Sequence, residues 1–191
     1  MIRSRHDYQA IYVSEPWAYG DKPDPELIKA LEGVPRGRAL DLGGGQGRHA
    51  LALAELGFQV SVVDSAAAGL HQVSEAASHR SLSVHTVQED AATYEPDPGL
   101  VVVVAALFFH IPAHKTSLNI AMNVGSALEQ GGLLYVSVPG FSDDTCALVR
   151  EVIQAAECKE EWLVKHLVTK SERPRLPVPR RNETRALAIK V

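Results

Sequence analysis

The chain has 191 residues, of which 46% are apolar and 22% are charged, as in a single globular domain with a full core. No apolar stretch is long enough to span a membrane, and the first residues lack the apolar run of a signal peptide. We therefore expect a cytoplasmic protein that does not contact a membrane. Cys146 and Cys158 fit neither a zinc site nor a redox pair.

The net charge of −4 is distributed unevenly. Residues 159–191 hold nine of the 19 Lys and Arg against four acids, a balance of +5, so the rest of the chain carries −9. A basic segment of this kind could contact RNA or an anionic substrate. No aromatic residue interleaves with its arginines, which favours a solvated loop and argues against nucleic-acid binding.

The chain opens with an aromatic leader, residues 1–33, which contains Tyr8, Tyr12, Trp17 and Tyr19. The four-residue spacing of Tyr8 and Tyr12 is typical of one helical face. These aromatics could form a lid over a ligand or could only plug the sheet, and the sequence leaves both open. Asp24, followed by Pro25, predicts a helix that is capped by Asp24 and ends near Gly33.

From residue 36 onward strand and helix patterns alternate, which predicts one domain with a doubly wound, Rossmann-like α/β fold. Pro112 predicts the start of a helix that ends near Gln130, before the stop signal of Gly131 and Gly132. The other predicted helices cover 46–56 and 66–78, with a further one beginning at Ser142. The predicted strands are seven in number and cover 38–42, 58–64, 82–87, 100–106, 133–138, 161–169 and 184–190.

Residues 39–49 read ALDLGGGQGRH, an apolar run into Asp41 followed by a glycine-rich turn. Such a turn between a strand and a helix is expected to present backbone N–H groups to a ligand. Arg48 falls on the third small position of the dinucleotide fingerprint, where a bulky side chain opposes close packing, and this argues against an NAD-binding module. The charge of Asp41 favours a cationic ligand group.

Two further acids follow the next two predicted strands. Asp64 lies 23 residues after Asp41 at the end of an apolar run, where an acid can accept hydrogen bonds from ribose hydroxyls. Asp90, followed by Ala91, comes after the third predicted strand and could accept a hydrogen bond from an adenine amino group. Together the turn and the three acids indicate a site for a nucleoside with a cationic group.

These segments resemble class I S-adenosylmethionine-dependent methyltransferases over roughly residues 36–140. The resemblance implies a mostly parallel sheet whose last strand is antiparallel, and S-adenosyl-L-methionine as the cofactor. It also implies the residues that bind the parts of this cofactor: the methionine part by Asp41, Gly43, Gly44 and Gly45, the ribose by Asp64 and Ser65, the adenine by Asp90 and Ala91, with Ala106 near the methyl group.

The segment after the fourth predicted strand, Ala106 to His110, should face the transferred methyl group. It lacks the Pro-Pro-aromatic and Pro-Cys motifs of nucleic-acid base methyltransferases, so Phe108 and Phe109 are predicted to contact a small acceptor. His110 is the candidate general base for a hydroxyl or amine acceptor. A metal site at His110 and His114 is disfavoured, because Pro112 lies between them and no third ligand is evident.

The sequence therefore predicts methyl transfer to a small-molecule acceptor. The short chain and its leader resemble, more narrowly, the tellurite-resistance and thiopurine-type methyltransferases. Two alternatives remain open. One is an RNA or protein methyltransferase that uses the basic C-terminal segment, and the other is a non-catalytic protein that binds S-adenosylmethionine or S-adenosylhomocysteine. Neither the acceptor nor the oligomeric state follows from the sequence.

Overall fold

A computed structural model describes residues 5–106, 123–139, 162–168 and 183–190. The helices are α1 (Arg5–Ser14), α2 (Pro25–Ala30), α3 (Arg48–Glu55) and α4 (Ala67–His79), and residues 123–127 are also helical. The strands are β1 (Arg38–Leu42), β2 (Gln59–Asp64), β3 (Val84–Gln88), β4 (Leu100–Ala106), β5 (Leu128–Pro139), β6 (Trp162–Val168) and β7 (Glu183–Lys190).

The seven described strands form one sheet in the order β3-β2-β1-β4-β5-β7-β6. Strands β1 to β5 pair in parallel with their neighbours, and β7 runs antiparallel to both β5 and β6. The chain order reverses between β1 and β4, which is the switch point where open α/β sheets bind ligands. The predicted Rossmann-like fold and its antiparallel last strand are confirmed.

The central strands are apolar on both sides because helices cover both faces of the sheet. In β4, Val103 belongs to one core cluster, whereas Val102 and Val104 belong to the other. The cluster with Val102 and Val104 also takes buried residues from α2, α3 and α4, and the cluster with Val103 takes residues from the helical segment 123–127. The period-two alternation of side chains along a strand produces this division.

The predicted end of the helix near Gln130 is wrong, because β5 already begins at Leu128. Lys190 donates hydrogen bonds to the carbonyl oxygens of Gly125 (3.3 Å) and Leu128 (2.6 Å), and the N–H of Gly99 donates to that of Ala127 (3.0 Å). These donors satisfy carbonyl groups that a continuing helix would have bonded. Gly131 and Gly132, which were predicted to stop the helix, lie instead within β5, where the pairing register between β5 and β4 shifts.

Predicted features outside the described residues include the start of the helix at Pro112, the helix beginning at Ser142, and most of the basic loop predicted at 170–185, of which residues 183–185 belong to β7. Within the described segments, no helix combines the length and the apolar character that crossing a membrane requires.

Candidate active site

The structure brings the three predicted acids to one edge of the sheet. Asp41 lies in β1, Asp64 is the last residue of β2, and Asp90 follows β3 by two residues. Because β3, β2 and β1 are consecutive neighbours in the sheet and run parallel, their carboxyl ends meet beside the glycine-rich turn. This edge is where a class of folds with parallel sheets binds its ligands.

The N–H groups of the turn are mostly engaged inside the protein, contrary to the expectation that they face a ligand. Four of them donate hydrogen bonds: Gly43 and Gly44 to the Val63 carbonyl (2.8 and 3.2 Å), Gly45 to Asp64 Oδ2 (2.8 Å), and Gly47 to the Gly44 carbonyl (2.8 Å). These bonds fix the turn against β2. These four N–H groups are therefore not available to an anionic ligand group.

Two glycines of the turn are required by the backbone and by close packing together. Gly45 has φ +54°, and a Cβ there would lie 2.5 Å from the hydroxyl oxygen of Tyr12. Gly47 has φ +80°, and a Cβ there would lie 2.5 Å from Val73 Cγ2 on α4. The close approach at Gly47 is to α4, and the side chain of Arg48, at the third small position of the dinucleotide fingerprint, is buried.

Asp41 is a buried acid, and one of its carboxylate oxygens is available to accept a hydrogen bond. Its Oδ2 accepts a hydrogen bond from the Ala50 N–H (3.0 Å), and its Oδ1 is buried with no hydrogen-bond partner in the described part of the chain. Burial raises the pKa of Asp41 to about 7, against the lowering effects of Arg48 and of the Ala50 N–H. An orphaned buried carboxylate oxygen is what a cationic ligand group would complete.

Asp64 is positioned by the backbone and still has acceptor capacity. Its Oδ2 accepts the Gly45 N–H and its Oδ1 accepts the Ala66 N–H, both at 2.8 Å. Burial raises the pKa of Asp64, and hydrogen bonds from Ala66, Gly45 and Ser65 oppose that rise. A carboxylate has about four acceptor positions, so these three N–H bonds leave one for a ligand hydroxyl.

The remaining predicted cofactor residues lie along the same edge. Asp90 Oδ1 accepts the Ala92 N–H (3.1 Å), so this acid is held in the turn after β3. Ala91 is buried in the core beneath that turn. Ala106 is the last residue of β4 and follows Ala105, which pairs with Leu42 of β1.

The aromatic leader covers the glycine-rich turn. Tyr12 and Tyr19 line a cleft of about 430 Å³, open to solvent, together with residues 43–49. Tyr8 packs behind them, with ring centroids 6.1 Å from Tyr12 and 6.3 Å from Tyr19. Burial, and then the charge of Asp64, raises the pKa of Tyr12 well above its usual value, so its hydroxyl stays protonated. Trp17 is not among the residues that line this cleft.

Gln46 ties the leader to the turn. Its Oε1 accepts the Ala18 N–H (2.7 Å), and its Nε2 donates to the Glu15 carbonyl (2.9 Å) and to Gln72 Oε1 (2.6 Å). One buried side chain thus connects the leader, the turn and α4. The sequence pattern gave no indication of this role, because a glutamine between glycines has no distinctive spacing.

A buried polar cluster that the sequence did not predict adjoins the cleft. Asp24 occupies the N-cap position of α2, but its side chain makes no capping hydrogen bond. Its oxygens instead accept bonds from both terminal nitrogens of Arg48 (3.2 Å each) and from the Tyr135 hydroxyl (2.8 Å), with His49 Nε2 at 3.2 Å. The feature of the sequence that could have indicated this cluster is Tyr135, a tyrosine among apolar residues of β5.

The residues predicted to face the acceptor, Phe108, Phe109 and His110, lie outside the described residues, as does His114. Among the residues that are described, no group of three or more His, Cys, Asp or Glu side chains is placed to hold a metal ion.

The glycine-rich turn and the three acids lie in a part of the chain that matches a known domain. A family model described as a methyltransferase domain matches residues 39–132, which include β1, the glycine-rich turn and the three acids. Residues 39–132 therefore form a methyltransferase domain, and the solved structures that share the fold include S-adenosylmethionine-dependent methyltransferases. The predicted family and its cofactor are thereby confirmed. A search of curated proteins finds no match.

Solved structures show the same fold at low identity. TehB from Haemophilus influenzae is 18% identical, with a TM-score of 0.73 over 96% of this chain and 67% of that chain. Magnesium protoporphyrin IX methyltransferase from Synechocystis, solved with bound S-adenosylmethionine, is 13% identical, with a TM-score of 0.70 over 100% and 99%. An rRNA methylase from Streptococcus thermophilus is 17% identical, with a TM-score of 0.63 over 88% and 98%.

Proposed function

We propose that this methyltransferase acts on a small-molecule acceptor. The observation that carries the proposal is the cleft over the glycine-rich turn, which the leader narrows with Tyr12 and Tyr19. An aromatic, partly enclosed cleft suits a small organic or chalcogen-containing acceptor better than a polymer. One of the structurally similar proteins is named for a porphyrin substrate, which supports this direction.

The same cleft is our proposed cofactor site. Asp41 faces the ammonium of the methionine part, Asp64 with Ser65 binds the ribose, and Asp90 with Ala91 binds the adenine. The glycines at 43, 44 and 45 leave room for the ligand, and Ala106 borders the methyl group. The orphaned oxygen of Asp41 and the remaining acceptor position of Asp64 support this assignment.

The cofactor supplies a methyl group that is already activated by attachment to a positively charged sulfur. The chain has to hold the acceptor in line and exclude water, and the leader residues Tyr12, Trp17 and Tyr19 are our candidates for that covering role. A thiolate or chalcogen oxyanion would need positioning only. A hydroxyl or amine would need a base, for which His110, with Phe108 and Phe109 beside it in sequence, stays the prediction.

RNA methylation is the second candidate, because an rRNA methylase is among the similar structures and residues 159–191 are basic. Binding that depends on these basic residues would weaken steeply as salt rises. We also propose that the protein is cytoplasmic, that residues 1–191 form a single domain, and that the reaction uses no metal.

The test supplies S-adenosylmethionine with a panel of small thiols, phenols, amines and tellurite, and separately with RNA, and measures released S-adenosylhomocysteine. We expect release that depends on a small acceptor. Release with RNA alone would replace this proposal with the second candidate, and binding without release for any acceptor would indicate a non-catalytic binder.

The site assignment is tested with Asp64→Ala. We expect cofactor affinity to fall more than tenfold, because charge-assisted hydrogen bonds contribute about 1.5–3 kcal/mol. Asp97→Ala is the matched control, since the Asp97 side chain is 89% exposed and pairs only loosely with Arg38 (3.8 Å). Unchanged affinity in a folded Asp64→Ala protein, measured by calorimetry, would remove Asp64 from the site.

A further inference from the structure

The methionine part of the cofactor carries two opposite charges, an ammonium and a carboxylate. The acids at the strand ends can serve the ammonium, but they repel the carboxylate. A carboxylate bound near Asp41 and Asp64 therefore needs a cation or several N–H donors of its own. This requirement concerns the proposed cofactor site, so the inference below rests on the proposed function.

Several donors of the turn are already used. The N–H groups of Gly43, Gly44, Gly45 and Gly47 donate inside the turn. The side-chain amide of Gln46 donates its two N–H groups to the Glu15 carbonyl and to Gln72 Oε1. The N–H of Ala50, in the first turn of α3, donates to Asp41.

Arg48 has donors left over. It lines the cleft, and it is the one Lys or Arg among the described residues that do so. A guanidinium carries five N–H donors, and the bonds to Asp24 use one from each terminal nitrogen. It also lies at the N-terminus of α3, where the helix dipole adds partial positive charge.

The position of Arg48 is set by its buried partner. Asp24 binds its two terminal nitrogens end-on with two 3.2 Å contacts, and the Tyr135 hydroxyl and His49 ring contact the same carboxylate. The side chains of Arg48 and Asp24 are 9% and 5% exposed, so their pairing is held in a largely dry environment. A guanidinium fixed on one edge in this way keeps another edge in a defined orientation.

We propose that Arg48, positioned by Asp24, binds the carboxylate of the methionine part of the cofactor. Arg48 is then the cofactor-binding residue that selects for the amino-acid end, and Asp24 is a positioning residue. The pair serves a different part of the ligand from Asp64, which faces the nucleoside. The two roles can be separated experimentally, because a natural ligand fragment lacks the amino-acid end.

The experiment compares two probes by calorimetry, S-adenosylhomocysteine and 5′-methylthioadenosine. Both contain the adenosine and a thioether, but only the first has the carboxylate and ammonium. Removing Arg48 alone would take the charged partner from the buried carboxylate of Asp24 and could prevent folding. We therefore use Arg48→Lys, which keeps the charge, and the double variant D24N/R48Q, which removes both charges while keeping hydrogen-bonding groups.

We expect the double variant to bind S-adenosylhomocysteine more than tenfold more weakly than the unmodified protein and to bind 5′-methylthioadenosine equally well. Arg48→Lys should show a smaller loss in the same direction, because an ammonium cannot bind two carboxylates side by side as a guanidinium does. Asp64→Ala is the contrasting control, and it should weaken both probes.

Equal affinity of the variants and the unmodified protein for S-adenosylhomocysteine would overturn the inference, and so would equal losses for both probes. If the unmodified protein binds neither probe, the cofactor site itself is wrong and the proposed function fails with it. A thermal melt of each variant confirms that the affinities refer to folded protein.

Discussion

Asp41 is a carboxylic acid that the fold encloses completely, and its response to pH follows from that enclosure. Burial raises its pKa from 3.8 to about 7, and Asp64 adds to the rise while Arg48 and the Ala50 N–H reduce it. Between these two pH values the folded protein binds a proton that the unfolded chain has released. The contribution of Asp41 to the free energy of unfolding therefore decreases as pH rises from about 4 to about 7.

Asp41→Asn should remove this contribution, because an amide does not titrate. Across the same pH window, we expect the variant to lose less stability than the unmodified protein, by about 1.4 kcal/mol for each pH unit at most. Urea unfolding at several pH values measures the difference. Asp97→Asn, at an exposed site, serves as the control, and parallel pH profiles for Asp41→Asn and the unmodified protein would contradict the assignment.

At the residue scale, the sequence predicted the acids at strand ends but not the pair of Asp24 and Arg48. The acids follow apolar runs, and a parallel sheet places the ends of such runs together. Asp24 and Arg48 meet only because α2 and α3 lie on the same face of the sheet, which no local pattern encodes. Asp24 also had a sufficient local explanation as a helix cap, although its side chain bonds elsewhere.

Among the secondary-structure elements, α1 has the most direct connection to the cleft. It packs against α4 and brings Tyr12 over Gly45, so that a Cβ on Gly45 or on Gly69 would meet the Tyr12 ring or hydroxyl within 3.0 Å. The leader can therefore act both as a packing element and as a cover. The question that separates these roles is whether Tyr12 affects the ligand or only the fold.

We expect Tyr12→Ala to release S-adenosylhomocysteine faster, because the turn would open to water on that side. Stopped-flow displacement measures the dissociation rate. Val13→Ala is a matched control one residue further along α1, since Val13 is 70% exposed. A folded Tyr12→Ala protein with an unchanged dissociation rate would contradict the lid, and loss of the cooperative melt would show that Tyr12 is mainly a core residue.

Element boundaries were predictable where a local signal was sufficient. The bounds of β1 and β4 match the prediction: Gly37 and Gly43 flank β1, and Gly99 marks the start of β4. The end of the helix before β5 was missed, because the donors that end it come from Lys190 in β7 and Gly99 before β4. Contacts between residues distant in sequence decided that boundary.

At the scale of the whole molecule, β7 connects the edge strand β6 to the rest of the sheet, although it is the last strand in chain order. It lies between β5 and β6, and Ala188 pairs with Leu134 on one side and Val164 on the other. Every strand pairing of β6 in the described structure is with β7. The sheet therefore depends on β7 for two neighbours at once.

Ala188→Pro should weaken the pairing of β7 with both neighbours, because proline lacks the N–H that bonds to one neighbour, and its ring and fixed φ distort the strand against the other. We expect the amides of β6 to lose protection from hydrogen exchange together with those of β7, while β1 and β2 keep theirs. Ala188→Ser is the control that changes the side chain and keeps the N–H. Protected β6 amides in Ala188→Pro would show that β6 is held by other contacts.

The same topology has a consequence for synthesis on the ribosome. The segment that becomes β6 is made before its pairing partner β7, so its backbone groups cannot enter the sheet when they first emerge. During that interval the far side of β5 is also an open edge, with N–H and C=O groups available to any passing strand. A nascent chain with two incomplete edges is at risk of intermolecular pairing until Glu183–Lys190 inserts between them.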